Sequence, residues 1–418
     1  MMPKMRFVGF DGEWQAQKLG DIGKTQSGVG FPEKEQGGME GIPFFKVSDM
    51  NLRGNEKIMQ SSNNYVSTMQ IEGRGWNVIN SIPAIIFAKA GAALFLDRKR
   101  LVYEPFLIDN NLMAYLFDET WDIDFAKALF DTIDLPKYAQ IGVLPSFSCS
   151  DIKAIEIIRP PHSEQIAIGE FFLDLDNSIA LHQRKLHGLK ELKRAYLQQI
   201  FPQASESVPR LRFAGFTEPW QQRKLGETLK DLKNGLSRML SDADIGLPVI
   251  RANNINQGCL DLRNDIKYWY ADDPKGAKTK KYHVHSGDIL INFINSEAKM
   301  GTTAIVEEEP KRNTIYTTNI LKAQINNDYD SYFWFALTQT EKYKIDIKII
   351  TKPAVNQASF TTVDFKALEY RMPILPEQIA IGNFFRKLGQ QINAQAQKLE
   401  QLKSLRAVYL QQLFALEK

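Results

Sequence analysis

Few side chains in this sequence could do chemistry, and each group stops short of a complete site. Asp288, Glu297 and Lys299 follow the acidic-acidic-lysine order of a magnesium-dependent nuclease, in which carboxylates hold the ion that polarises a scissile phosphate. The competing reading, a strand start followed by a polar loop, is the one adopted. His283 and His285 can share one strand face, but no third ligand stands near them, so no metal site is expected. Gly23-Lys24-Thr25 imitates the end of a phosphate-binding loop, yet Lys18 stands where the first glycine is required. The adenine-methyltransferase signature, Asp or Asn followed by Pro-Pro and an aromatic, is missing, since Pro160-Pro161 lies between Arg159 and His162. Cys149 and Cys259 are far from CxxC spacing and suggest neither a zinc site nor a disulfide framework. The chain is therefore expected to be non-catalytic and to carry no cofactor of its own.

Recognition is the chemistry that remains. The net charge of +3 is small, but it is unevenly placed. Arg98-Lys99-Arg100 forms one cluster, and Lys275, Lys278, Lys280 and Lys281 crowd before Tyr282. Acidic stretches at 118–124 and 307–309 offset them. Basic loops on a near-neutral protein attract phosphates locally and leave other surface free for protein partners. The plainer reading of either cluster is a set of solvated loop charges.

The elements that must position these residues come in two copies. RFVGFDGEWQAQKLGD, from Arg6, returns as RFAGFTEPWQQRKLGE, from Arg212, and EQIAIGEFF, from Glu164, returns as EQIAIGNFF, from Glu377. Each second phrase leads into a leucine-rich stretch that closes in AYLQQIF or VYLQQLF. SFSCSDIKAIEI, from Ser146, aligns with SFTTVDFKALEY, from Ser359, so Asp151, Lys153 and Glu156 coincide with Asp364, Lys366 and Glu369. Positions repeated in this way are expected to be structural. Between the shared phrases the copies diverge. Strands are expected at 42–47, 84–87, 247–250 and 288–293, and helices at 125–132 and 332–343.

With 418 residues, 44% hydrophobic and 24% charged, the chain fits two soluble domains plus connecting helices. Its longest apolar stretch, 82–96, is broken by Lys89 and is shorter than the ~20 residues of a membrane span. The N-terminus lacks a hydrophobic signal segment, so a cytoplasmic location is expected.

Apolar residues at 3-4 spacing run through Phe172, Leu175, Ile179, Leu186, Leu189, Tyr196 and Ile200, interrupted by His182 and Lys193. The counterpart runs through Phe385, Leu388, Ile392, Leu399, Leu402, Tyr409 and Leu413, interrupted by Gln395 and Arg406 at the same steps. One such stripe would be read as a helix lying on its own core. Two with matching interruptions predict a helix–helix seam with polar steps fixing register. A helix over 163–201 would be roughly 58 Å long at 1.5 Å per residue. Pro202 and the segment 203–209 supply a breaker and linker, so the second helix is expected to return antiparallel to the first.

These phrases, GF…W…KLG and EQIAIG…FF…LQQ(I/L)F, resemble those of the specificity subunits of type I restriction-modification systems. The resemblance extends over the whole layout, with one departure: Gly287-Asp288 stands before a second-copy strand where the first has Ile82-Pro83. It implies an α+β fold in which two tandem mixed α/β target recognition domains are joined by two long antiparallel coiled-coil helices as a pseudo-twofold repeat. The implied divisions are 1–162 for the first recognition domain, 163–202 for the first helix, 203–375 for linker and second domain, and 376–418 for the second helix. It further implies that each domain reads half of a bipartite DNA site, the helices set the spacing, and methyltransferase and endonuclease/translocase subunits dock on the chain. Those partners would use S-adenosylmethionine, ATP and magnesium.

Candidate DNA contacts in the first copy are Lys46, Ser48, Asn51, Arg74, Lys89, Arg98, Lys99 and Arg100. In the second they are Arg251, Asn253, Asn254, Asn256, Lys278, Lys280, Lys281, Tyr282, Asn292, Asn295 and Lys299. Arginine can pair bidentately with guanine and asparagine with adenine, which draws attention to Arg251-Ala-Asn253-Asn254. Lysines would mainly hold phosphates and set register.

Overall fold

Behind the paired prolines Pro160 and Pro161 the chain enters a 39-residue helix, His162–Ile200, and behind Pro373 it enters a 40-residue helix, Leu375–Phe414. Proline suits both helix starts, because the first turn of a helix leaves its N–H groups unbonded anyway. The computed structural model describes residues 3–140, 145–203, 206–256, 258–353 and 357–414. The chain divides into two compact units, one of residues up to Gln183 plus those from Lys398 onward, the other Arg184–Gln397. Each long helix is shared between the two.

In the first unit, Gly23–Ser27, Leu112–Phe117, Ala84–Ala88 and Lys99–Val102 form an antiparallel sheet in that order. All five residues of Ala84–Ala88 are buried, as a strand covered on both faces requires. Strand alternation sends Ile85 and Phe87 into a core with Trp14, Tyr115, Phe125 and Phe172, and Ala84, Ile86 and Ala88 into another with Phe45, Phe106 and Ile108. Leu413 belongs to the first of these cores, and Phe414 packs on Trp14, Phe125 and Phe172. Phe171 meets Tyr409 and Asp176 meets Arg406, so the two helical segments of this unit run antiparallel.

The second unit repeats the plan with Leu229–Asn234, Ile320–Ile325, Ile289–Asn292 and Thr303–Ile305. Ile200 and Phe201 enter its core beside Trp220, Phe333 and Phe385. The strands expected at 42–47, 84–87, 247–250 and 288–293 are found as Ile42–Phe45, Ala84–Ala88, Leu247–Ile250 and Ile289–Asn292. The first expected helix is Ile123–Thr132. The second is two helices, Ser331–Leu337 and Glu341–Ile350, because Thr340 caps a new start by accepting from the Tyr343 N–H at 3.3 Å.

The shared phrases form one frame, built twice. Glu164 accepts two hydrogen bonds from Arg6, at 2.7 and 2.6 Å, and Glu377 accepts two from Arg212, at 2.8 and 2.7 Å. Gln165 donates to the Pro160 carbonyl and accepts from the Asp122 N–H; Gln378 does the same with Pro373 and Asp330. Asp122 and Asp330 in turn cap the helices that open beside them. The glycine of EQIAIG is required by that cap: a Cβ on Gly169 would lie 2.2 Å from Asp122 Oδ1, and one on Gly382 2.1 Å from Asp330 Oδ1. In KLG, a Cβ on Gly20 or Gly226 would meet the Cβ of Lys153 or Lys366 at 2.9 or 3.1 Å. Asp151 and Asp364 bond the capping residues Ser148 and Thr361, and Glu156 and Glu369 pair across two-stranded ladders with Lys18 and Lys224. The repeated letters are thus accounted for by structure.

Candidate nucleic-acid interface

The polar loops that differ between the copies hang on these frames. In the second unit Arg251 follows the strand Leu247–Ile250, and its guanidinium reaches the Asp265 carbonyl at 2.7 Å and its carboxylate at 2.5 Å. A cleft of about 280 Å³ opens beside it, lined by Ser237, Arg238, Asn253, Thr318 and Asn319 among others. Asn253 is exposed. Donors and acceptors from three loops therefore converge on one opening.

Asp273 organises the neighbouring loop. It is 9% exposed and takes hydrogen bonds from Arg238, Trp269 Nε1 and the N–H groups of Lys275 and Ala277. The Arg238 guanidinium, reinforced by those backbone N–H groups, holds its carboxyl well below the usual range. Thr279 fixes the other side by donating to the Ala271 carbonyl at 2.6 Å. Lys275, Lys278, Lys280 and Lys281 project from this anchored loop, and all four are exposed. Tyr282 turns partly inward, its ring beneath the Lys233 ammonium at 4.6 Å.

In the first unit Lys46 donates to Gln36 at 2.9 Å, Ser48 is exposed, and Asn51 accepts from Arg98. Arg74 pairs with Glu35 at 2.6 Å, and half-buried Lys89 donates to Ser27 at 3.1 Å.

The sequence profile of the type I restriction modification DNA specificity domain matches residues 11–191 and again 217–404. The chain belongs to that family. It is 30% identical over 210 residues to a putative type I restriction enzyme specificity subunit, MjaX, of Methanocaldococcus jannaschii, covering 50% of this chain and 48% of that protein. It is 20% identical over 232 residues to the EcoKI specificity subunit of Escherichia coli K12, covering 54% and 49%. The chain thus spans about half the length of the curated relatives it matches. A type I specificity subunit structure from M. genitalium superposes over 100% of both chains with a TM-score of 0.65 at 13% identity. A chain from a study of type I complex assembly and conformational transition gives 0.52 at 17% identity, over 98% of this chain and 99% of that one. These likenesses confirm the two-unit α+β fold.

Several residues that this specificity chain was expected to present to DNA are committed inside it. Lys99 is 3% exposed and bound to Asp97 at 2.7 Å, with burial pulling its ammonium below the usual lysine range. Lys99 opens the strand Lys99–Val102, where successive side chains point to opposite faces, so Arg98, Lys99 and Arg100 cannot form one surface patch. Arg100 is half-buried, with Nη1 on the Lys99 carbonyl. Asn254, 1% exposed, accepts from the Arg251 N–H and donates to the Asn264 carbonyl, which fixes the loop that carries Arg251. Asn292 is fully buried and donates to Thr302 at 2.8 Å. Others stay reachable: Asn256 is exposed while it donates to the Asn253 carbonyl, and Asn295, which accepts from the Ser296 N–H, and Lys299 are half-buried.

The nuclease reading fails at its first residue. Asp288 is 4% exposed; one carboxylate oxygen accepts from Gln324, and the other accepts from the His285 N–H and faces Lys322 at 3.4 Å. Such a carboxylate supports a turn and has no free oxygen for an ion. Among the described residues no three His, Cys, Asp or Glu side chains are placed to hold a metal, and no helix is long and apolar enough to cross a membrane.

Of the residues expected along the helix seam, Phe172, Leu175, Ile179, Ile200, Phe385, Leu388, Leu399, Leu402 and Leu413 are buried, with Phe172, Leu413, Ile200 and Phe385 in the cores of their units, whereas Leu186, Leu189, Tyr196, Ile392 and Tyr409 are half-buried. The sequence reading missed Ser237, Arg238, Thr318 and Asn319. The signal for Thr318 and Asn319 is a polar run, Thr317-Thr318-Asn319, set between two strands, Ile315–Tyr316 and Ile320–Ile325, and no comparable run marks Ser237 and Arg238.

Proposed function

We propose that each unit reads one half of a bipartite duplex DNA sequence and that the long helices hold the readers at a fixed spacing. The chain would also dock methyltransferase and endonuclease/translocase subunits and do no chemistry itself. One observation carries this reading: a single frame, reproduced down to its Arg–Glu pair and its glycine beneath a cap, supports loops whose exposed polar side chains differ. Identical supports with different surfaces suit two readers of different sequences.

Lys275, Lys278, Lys280 and Lys281 are suited to phosphates, where they would set position without specifying bases. Arg251 and Asn253, beside the cleft that Thr318 and Asn319 also line, are suited to base edges. Arg251 would have to exchange Asp265 for a base, so Asp265 would act as its resting partner. Lys46, Ser48, Asn51, Arg74, Lys89 and Arg98 are the corresponding candidates in the first unit. The relatives' names as specificity subunits support this assignment, under which the chain would work beside DNA in the cytoplasm.

Mapping methylated adenines on DNA from cells that express this chain with its methyltransferase partner tests the proposal. A single bipartite motif is the expected result. Absence of sequence-dependent methylation beside a competent partner would overturn it.

A further inference from the structure

The two units differ at one charged step that their shared frame makes easy to compare. In the first unit Arg406 bonds Asp176 through Nε at 2.6 Å and Asp131 through Nη2 at 2.7 Å. Burial opposes its charge, but those two carboxylates overcome the penalty and keep the guanidinium firmly protonated. Aligning AYLQQIF with VYLQQLF puts Lys193 at the Arg406 position of the second unit. Aligning Gly169 with Gly382 puts Gly389 where Asp176 stands, and aligning the caps Asp122 and Asp330 puts Gln339 where Asp131 stands. The cation remains while both carboxylates are gone.

Lys193 is half-buried, and among the described residues its ammonium has no hydrogen-bond or ion-pair partner. Burial accordingly pulls it below the usual lysine range, with only Cys259 and Glu307 acting weakly the other way. It lines two clefts of about 990 and 510 Å³; Lys190 and Gln339 line both as well. Arg194 and Arg371 face the larger one, and among the described residues they too lack partners. The other cations there are already engaged: Lys342 with Asp346, Lys344 with Glu341, and Arg210 with Glu206. Lys190 likewise has no ion-pair partner among the described residues, and Glu369, which accepts from Gln222, is the one lining carboxylate outside the pairs just named, so four cations face one carboxylate and the site is short of negative charge. An uncompensated buried cation is costly, and an anion that seats on it relieves that cost.

We propose that this cleft is an anion site of the second unit, taking a phosphate group in the place that two carboxylates fill in the first. A phosphate monoester or pyrophosphate carries a charge comparable to the missing pair, and its several acceptor oxygens match lysine and arginine donors from different elements. The phosphate could belong to a free phosphorylated molecule or to a DNA backbone. The site stands independently of base reading.

The test is thermal unfolding of the full chain in sodium pyrophosphate against sodium chloride at equal ionic strength. A hundredfold excess over the dissociation constant should raise the melting temperature of the second unit by about 5–10 °C. Lys193→Gln should melt no lower than the parent without ligand and should lose the pyrophosphate response. Gln339→Asp, which restores a carboxylate, should raise the ligand-free melting temperature and blunt the response. Equal effects of chloride and pyrophosphate, a response that survives in both variants, or a ligand-free loss of stability in Lys193→Gln would each overturn the proposal. Competition identifies the source: random-sequence duplex that displaces pyrophosphate and binds Lys193→Gln more weakly means backbone phosphate, and duplex that does neither means a free ligand.

Discussion

Replacing Arg212 with methionine should destabilise the second unit by about 3 kcal/mol while leaving the first unchanged. Glu377 is fully buried and the side chain of Arg212 is 14% exposed, so the pair is nearly sealed from water. Breaking a buried pair by deleting one partner costs ~3–5 kcal/mol, because the other charge stays behind uncompensated. The lower end applies here, since the arginine keeps some solvent and the methionine retains most of its packing. For a unit of this size that is a fall of about 6–12 °C in melting temperature. Adding Glu377→Gln should recover part of the loss by removing the stranded charge, giving a favourable coupling of ~1–2 kcal/mol in a double-mutant cycle. Arg6→Met should do the same to the first unit, and the two effects should add because the pairs lie in different units. Chemical denaturation followed by probes in each unit reads all of this. A loss below ~1 kcal/mol, or no recovery with Glu377→Gln, would mean that the repeated arginine and glutamate do not hold the frame together.

Gly382→Ala should cost ~1–3 kcal/mol, since its Cβ would lie 2.1 Å from Asp330 Oδ1 and must displace a helix cap; differential scanning calorimetry measures it. Because Arg238 depresses the Asp273 carboxyl, the stability this gives is present above its unfolded pKa near 3.9 and is lost as pH falls below that value. Asp273→Asn should therefore flatten the stability–pH slope below about pH 4, as read by urea unfolding at a series of pH values. Changing Lys278, Lys280 and Lys281 to glutamine should weaken binding to all DNA sequences alike and reduce the log–log salt slope by about 0.9 per lost contact, whereas Arg251→Ala should relax preference in one half-site by roughly 1–3 kcal/mol; salt-titrated binding to a panel of duplexes separates them. Inserting one heptad after Leu186 and another after Leu399 should lengthen the spacer by roughly 10 Å, or about three base pairs, with both half-sites unchanged in a methylation map.

The scaffold was legible in the sequence because its constraints fall on particular letters. Gly169 and Gly382 admit no side chain, Glu164 and Glu377 must meet arginines, and helix periodicity fixes which leucines turn inward. Repetition exposed these positions even though Arg6 and Glu164 are 158 residues apart. The candidate interface was less legible because residue type does not reveal orientation. Asn254 and Asn253 are neighbours, yet one braces a turn and the other faces solvent. Lys99 reads as a surface cation until strand alternation sends it inward to Asp97. Arg238 carries no sequence signal because its role depends on Asp273, 35 positions away, which shares no motif with it.

Leu413 and Phe414 complete the core around Trp14, and that has a temporal consequence. A chain leaves the ribosome from its N-terminus, so the first unit must wait with an open face while nearly everything between is made. The second unit needs nothing beyond Gln397 and can close earlier. Completion therefore runs in reverse of sequence order, and the waiting face, with Trp14, Phe125 and Phe172 uncovered, is the surface a chaperone would have to shield. Anything that delays or removes the closing phrase of the second helix should injure the first unit before it touches the second.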